Sequence, residues 1–178
     1  MELQAEEQIV RAARGGDTAA LAALYERHYA TMVWLAYSIL LDRDQAEDVA
    51  QQTFVKACEK LNALKRADRF GPWLARICRN EAHQLMRRRR RSVPPHSSET
   101  AFVTEPAVDG PDLGQVRAAI DGLPPMYREI VMLFYYNRMD YRQIASTLGV
   151  ALHTVRGRLF RARRQIERTL RKNGYPEG

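Results

Sequence analysis

YRQIASTLGVALHTVRGRLFRAR, residues Tyr141–Arg163, holds two apolar helical patterns separated by a glycine. Ile144, Ala145 and Leu148 form the apolar face of a short helix, and Gly149 takes at no steric cost the positive φ that ends one. Beyond the turn, Val155, Leu159, Ala162 and Ile166 recur at helical spacing, so a second helix has one apolar face. At about 100° per residue, Gly157, Phe160, Arg161, Arg164 and Arg168 fall on its other face. Two helices joined by a tight turn, the second lined with guanidinium groups, read as a helix-turn-helix aimed at a DNA major groove. Arginine pairs bidentately with guanine and is drawn to phosphate. An amphipathic C-terminal helix with a merely solvated basic face would share this charge pattern.

The rest of the chain is also helical in pattern, with Ala, Leu, Arg, Glu and Gln prominent and no β-like alternation between hairpin signals. Asp17 caps a helix running toward Leu40, and Asp42 or Asp44 starts the next, which continues to Leu61. A third begins near Gly71-Pro72, with proline in a first turn where its missing N–H costs nothing, and runs into Arg87–Arg91. Ser92–Gly114 breaks the pattern with four prolines and no apolar periodicity. A further helix starts near Leu113, the chain turns at Leu123-Pro124-Pro125, and a helix follows over Tyr127–Tyr136. The expected fold is therefore all-α: a helical domain over 1–91, a flexible acidic linker over 92–112, and a second small helical domain over 113–174 carrying the helix-turn-helix. The linker is long enough to let the two domains sit on separate surfaces, with a partner protein fixing their relative position.

Charge follows the same division. The whole chain of 178 residues carries +7, but residues 1–91 carry +4, residues 92–114 carry −4 and residues 115–172 carry +8. Two basic blocks around an acidic segment suggest two modules that both meet a polyanion. Cys58 and Cys78 give neither a disulfide framework nor a paired zinc motif, and read as buried free thiols of a reducing cytoplasm. With no apolar run near 18 residues and no leader pattern, the reading is cytoplasmic, neither membrane-spanning nor secreted.

Four segments in this order carry a family resemblance: DQAEDVAQQTF (Asp44–Phe54), FGPWLARICRN (Phe70–Asn80), LPPMYREIVML (Leu123–Leu133) and YRQIASTLG…TVRGRLFRAR. Together the chain resembles a bacterial RNA polymerase sigma factor of the two-domain, extracytoplasmic-function class. The resemblance implies three partners: core RNA polymerase, met at its clamp coiled coil and flap, promoter DNA, and an anti-sigma factor. It implies no cofactor, no metal and no catalytic chemistry.

In the first helical segment Asp44, Glu47 and Asp48 complement the positive end of the helix. The resemblance makes these, with Gln51, Gln52 and Phe54, the polymerase-docking residues. The family usually carries glutamate where this chain has Gln52, one charge fewer. In the helix Pro72–Arg91, Leu74, Ile77, Cys78, Ala82 and Leu85 form the apolar stripe, and Arg76, Arg79, Asn80, His83 and Arg87 the polar face. By resemblance this helix and the loop Ala63–Arg69 read the minus-ten element and hold bases flipped from it. Arg69 and Arg88 join that set, the five arginines Arg87–Arg91 attracting phosphate. Glu81 falls on the apolar side, which calls for a nearby arginine.

In the last helix the resemblance assigns the minus-thirty-five element to Arg142, His153, Thr154, Arg156, Gly157, Arg158, Phe160, Arg161, Arg163 and Arg164. Arg156, Phe160 and Arg161 are placed for base edges, Phe160 meeting a thymine methyl, while Arg142, Arg158, Arg163 and Arg164 are assigned to phosphates. His153 and Gly157 stand where the family has glycine and serine. Glu99, Glu105, Asp109 and Asp112 either occupy basic surface of the polymerase or only tether the modules. A stand-alone helix-turn-helix regulator would leave the first domain without purpose. An enzyme using Cys58, Cys78 and His83 lacks the spacing of a metal-ligand pair.

Overall fold

The computed structural model describes residues 2–92 and 111–175, all helices, turns and connecting coil with no strand among them. Among the described residues eight α-helices follow one another: α1 Glu2–Arg14, α2 Thr18–Leu40, α3 Arg43–Lys60, α4 Phe70–Ser92, α5 Pro111–Asp121, α6 Pro125–Val131, α7 Tyr141–Leu148 and α8 Leu152–Lys172. The acidic linker expected over 92–112, with Glu99, Glu105 and Asp109, lies outside the described residues except at its ends. There Ser92 closes α4, and Pro111 and Asp112 open α5.

Each start has a local cause. The Asp17 carboxylate accepts from the amides of Ala19 and Ala20, and Asp42 accepts from Gln45, so orphan N–H groups at two helix ends find partners. Pro72 and Pro125 sit in the first turns of α4 and α6. At α7, Asp140 and Gln143 bond each other's backbone amides in a capping box. Gly149 ends α7 at φ 66°. α1, a helix the sequence reading passed over, lays Val10 and Ala13 into the core against α2.

The first module is α2, α3 and α4 packed side by side, with α1 across α2 and two 3-10 turns, Leu61–Ala63 and Ala67–Arg69, joining α3 to α4. Met32, Leu35, Phe70 and Leu74 are sealed at its centre; burying each is worth about 1.5–3 kcal/mol. In the second module α8 packs against α5, α6 and α7, with Ile130, Leu133, Ile144, Val155 and Leu159 fully enclosed. The helix expected over Tyr127–Tyr136 is not uniform. After Val131 it widens into a π-helical turn, Met132–Tyr136, in which the Asn137 amide bonds the Met132 carbonyl. Phe134 thereby meets Tyr141, and Tyr136 meets Trp34 of the first module.

The modules do not stand apart. Their apolar residues form one continuous core, and α2 and α4 of the first module carry α6, α7 and the π turn of the second.

Candidate nucleic-acid interface

α8 presents the face its sequence promises. Val155, Leu159 and Ala162 are buried, while His153, Arg156, Phe160, Arg161, Arg163 and Arg164 are exposed and Thr154 and Arg158 half-buried. Phe160 is 61% exposed, a large apolar ring held in solvent with the Arg164 guanidinium 5.8 Å over it. Tyr127, Gly157, Phe160, Arg161, Arg164 and Arg168 line an open groove along this face. A Cβ at Gly157 would meet nothing within 4 Å, so the glycine leaves a gap in the groove wall. The N-cap, Ala151, supplies no side-chain acceptor to the first amides of α8, which suits an anion there. Arg142 is exposed on α7. Arg163 turns from the groove to its own module, donating to the Tyr135 hydroxyl at 2.8 Å and lying over Phe134.

α4 does not present a single polar face. Arg76, Asn80, Arg87 and Arg88 are exposed along one row. Arg79 and His83 instead turn toward α6, where Glu129 Oε1 lies 2.5 Å from Arg79 Nε and 3.5 Å from His83 Nε2. Arg69 stands at the foot of α4, 3.7 Å from Asp68. The Arg66 guanidinium bonded to Asp68 holds that carboxyl below its ordinary value. The loop before α4 is backed by α1: Ala67 is buried against it and Arg14 donates to the Leu61 carbonyl at 3.3 Å. Glu81 does find a cation, though it is the lysine Lys56 of α3, 2.6 Å away, and not an arginine.

On α3, Asp44, Asp48, Gln51 and Gln52 are exposed, together with Val55, which the sequence reading omitted. Glu47 is engaged by Arg43 at 2.7 Å. Phe54 departs from its expected surface position. It is 8% exposed, with its ring 4.8 Å from Tyr25, because the apolar stripe of α3 continues through Val49 and Ala57 on the same side. Among the cysteines, Cys78 is buried with its thiol on the Met32 carbonyl, and burial pushes its pKa up to about 12. Cys58 is exposed, contrary to the reading of both as buried. Among the described residues no three His, Cys, Asp or Glu side chains stand where they could hold a metal ion, and no helix is long and apolar enough to cross a membrane.

The join between the modules holds residues whose role the sequence reading missed. Arg128, 3% exposed, donates to the carbonyls of Ser38, Asp121 and Leu123. Burial lowers its pKa and raises that of Asp121, which accepts from the Tyr37 hydroxyl at 3.2 Å. Arg117 lies 4.9 Å over the Trp34 ring. The available signal was an Arg-Glu pair inside the apolar run of Leu123–Leu133.

Comparison with known proteins divides the chain at the same place. Residues 24–92 match the family described as Sigma-70 region 2, and residues 113–166 match Sigma-70 region 4. The chain is 33% identical over 172 residues to the ECF RNA polymerase sigma factor SigE of Mycolicibacterium smegmatis, with 89% of this chain aligned and 65% of that protein's length spanned. It is 30% identical over 182 residues to the RNA polymerase sigma-H factor of Pseudomonas aeruginosa, covering 93% of each. The fold is similar to that of the sigma factor RpoE of Bartonella quintana in complex with the anti-sigma factor NepR, with a TM-score of 0.72 at 28% identity, covering 84% of this chain and 96% of that one.

Proposed function

We propose, from the premise that this chain belongs to the extracytoplasmic-function class of RNA polymerase sigma factors, that it binds core RNA polymerase and directs it to specific promoters. α3 is the dock, through exposed Asp44, Asp48, Gln51, Gln52 and Val55, with Phe54 holding that surface from beneath. α4 and the loop before it read and help to melt the minus-ten element, where Arg76, Asn80, Arg87 and Arg88 lie on the exposed side of the helix that would meet an unstacked strand. α8 enters the major groove at the minus-thirty-five element, with Arg156, Phe160 and Arg161 toward base edges and Arg142, Arg158 and Arg164 toward phosphates. The protein performs no catalytic step, works in the cytoplasm, and is held in check by an anti-sigma factor of the kind that the similar RpoE binds.

One observation carries the reading: Phe160, largely exposed between Arg156, Arg161 and Arg164. A solvated basic helix gains nothing from an aromatic ring in water, whereas a groove-reading helix places it on a thymine methyl. Run-off transcription with purified core polymerase on a pool of genomic promoter fragments tests the proposal. New discrete transcripts that vanish with Arg156→Ala or Asn80→Ala support it. Folded, inhibitor-free protein that neither binds core polymerase nor yields transcripts overturns it.

A further inference from the structure

The residues assigned to base edges use only the first turns of α8. Arg156, Phe160 and Arg161 precede its midpoint, yet the helix runs on to Lys172, a length of about 31 Å at about 1.5 Å per residue. A recognition helix reads bases with its N-terminal residues, in a major groove about 12 Å wide. With Arg156 and Arg161 at base edges, the last turns of α8 therefore pass over the edge of that groove, where the phosphates stand.

Those last turns are suited to an anion. The open groove along α8 does not end at Arg164 but continues past Gln165 and Thr169 to Arg168 and Lys172, with Tyr127 of α6 as a facing wall. Arg168 and Lys172 are exposed and one helical turn apart. Neither has an ion-pair partner among the described residues, and Glu167, the one acid of α8, is not on this groove. The Thr169 hydroxyl is taken up by the Gln165 carbonyl at 3.0 Å, so the two cations are what the far end of the groove offers a ligand. Arg163 differs from them, since the Tyr135 hydroxyl holds it on its own module. Continuity decides the occupant: a duplex seated on Arg156 and Arg161 brings its own backbone to the far end of the same groove.

We propose that Arg168 and Lys172, faced by Tyr127, form a second DNA site that holds the promoter backbone outside the minus-thirty-five element. It adds affinity without reading sequence. The first turns of α8 select the promoter and the last turns hold it. The inference rests on the assignment of α8 to the minus-thirty-five element.

Fluorescence anisotropy of the full chain with two duplexes of equal length tests the site. One duplex carries a promoter recovered by run-off transcription and the other an arbitrary sequence, and salt is varied from about 50 to 200 mM. Removing two phosphate contacts with Arg168→Gln/Lys172→Gln makes the slope of log affinity against log salt shallower by about 2. Both duplexes weaken alike, so the ratio of their affinities stays within about twofold of the wild-type value. Arg156→Ala lowers that ratio. Arg11→Gln/Lys60→Gln, an equal loss of charge at exposed sites of the first module, leaves the slope unchanged. Circular dichroism establishes that each variant is folded. A slope that Arg168→Gln/Lys172→Gln does not move overturns the site and turns this stripe over to an acidic protein surface. A slope that Arg11→Gln/Lys60→Gln moves equally overturns it as an effect of net charge alone. Failure of the promoter assignment is distinguishable. Transcripts from core polymerase with an unmoved slope sink the backbone site alone. Absence of transcripts, with a shallower slope for Arg168→Gln/Lys172→Gln on the arbitrary duplex, sinks the assignment and leaves a backbone site.

Discussion

The Nε of Arg128 on α6 donates to the carbonyl oxygen of Ser38 on α2 across the join of the two modules, while its Nη1 serves the Asp121 and Leu123 carbonyls. Truncating the side chain takes the donor from two buried carbonyls and one part-buried one, so Arg128→Met lowers stability by about 3 kcal/mol. Arg128→Lys recovers only part of that, since one ammonium cannot reproduce the planar fork. Urea unfolding midpoints read both values. A loss below about 0.5 kcal/mol for Arg128→Met would mean that water replaces the side chain at the join.

Gly157 sits inside α8 with open space where its Cβ would be. Gly157→Ala therefore gains helix propensity without a clash, about 0.8 kcal/mol, and raises Tm by about 2–3 °C for a protein of this size. A thermal melt followed by circular dichroism checks it. A lower Tm would mean that the free protein leaves no open space for a Cβ at this position of α8.

Glu6 ties α1 to α2, and His28, 3.3 Å away, is the chief cause that its carboxyl lies below the ordinary value of 4.5, with Arg27 adding to it. A depressed carboxyl stabilises the fold above its unfolded pKa, and the contribution is lost as pH falls through the folded pKa. The wild type accordingly exceeds Glu6→Gln in stability at neutral pH, and the gap closes in acid below 4.5. Unfolding curves of both proteins across pH 3 to 7, a range of about four units that brackets the titration, measure the gap. A gap that widens in acid would reverse the sign and refute the assignment.

What the sequence told of the fold came from signals that act within a few residues. Asp17, Asp42, Pro72 and Gly149 mark helix ends, and all four serve there. Periodicity likewise separated the inner face of α8 from its groove face. It failed wherever a helix has two neighbours. The polar side of α4 reads as one face, yet contact with α6 removes Arg79 and His83 from the open row, and the residue responsible lies 50 positions away. Resemblance places Phe54 in the dock and the lack of a disulfide pattern places Cys58 inside, and neither signal says whether another element covers the side chain. The π turn at Met132–Tyr136 leaves no mark in an apolar run that suits an ordinary helix equally well.

The α3 surface separates packing from docking in one pair of substitutions. Phe54 is enclosed beneath Tyr25 and Tyr29, so Phe54→Ala costs about 3–4 kcal/mol. It weakens polymerase binding only through loss of folded protein. Asp48 is exposed, so Asp48→Lys changes stability by less than about 0.5 kcal/mol but reverses a charge at the dock. Its affinity for core polymerase falls at least tenfold, a change of about 1.4 kcal/mol. Gln52→Glu, which adds a negative charge on the same exposed side, shifts affinity the opposite way. Urea unfolding and fluorescence anisotropy with labelled protein read the two quantities independently. Asp48→Lys with unchanged polymerase affinity would move the dock off this face of α3, whatever the other helices do with DNA.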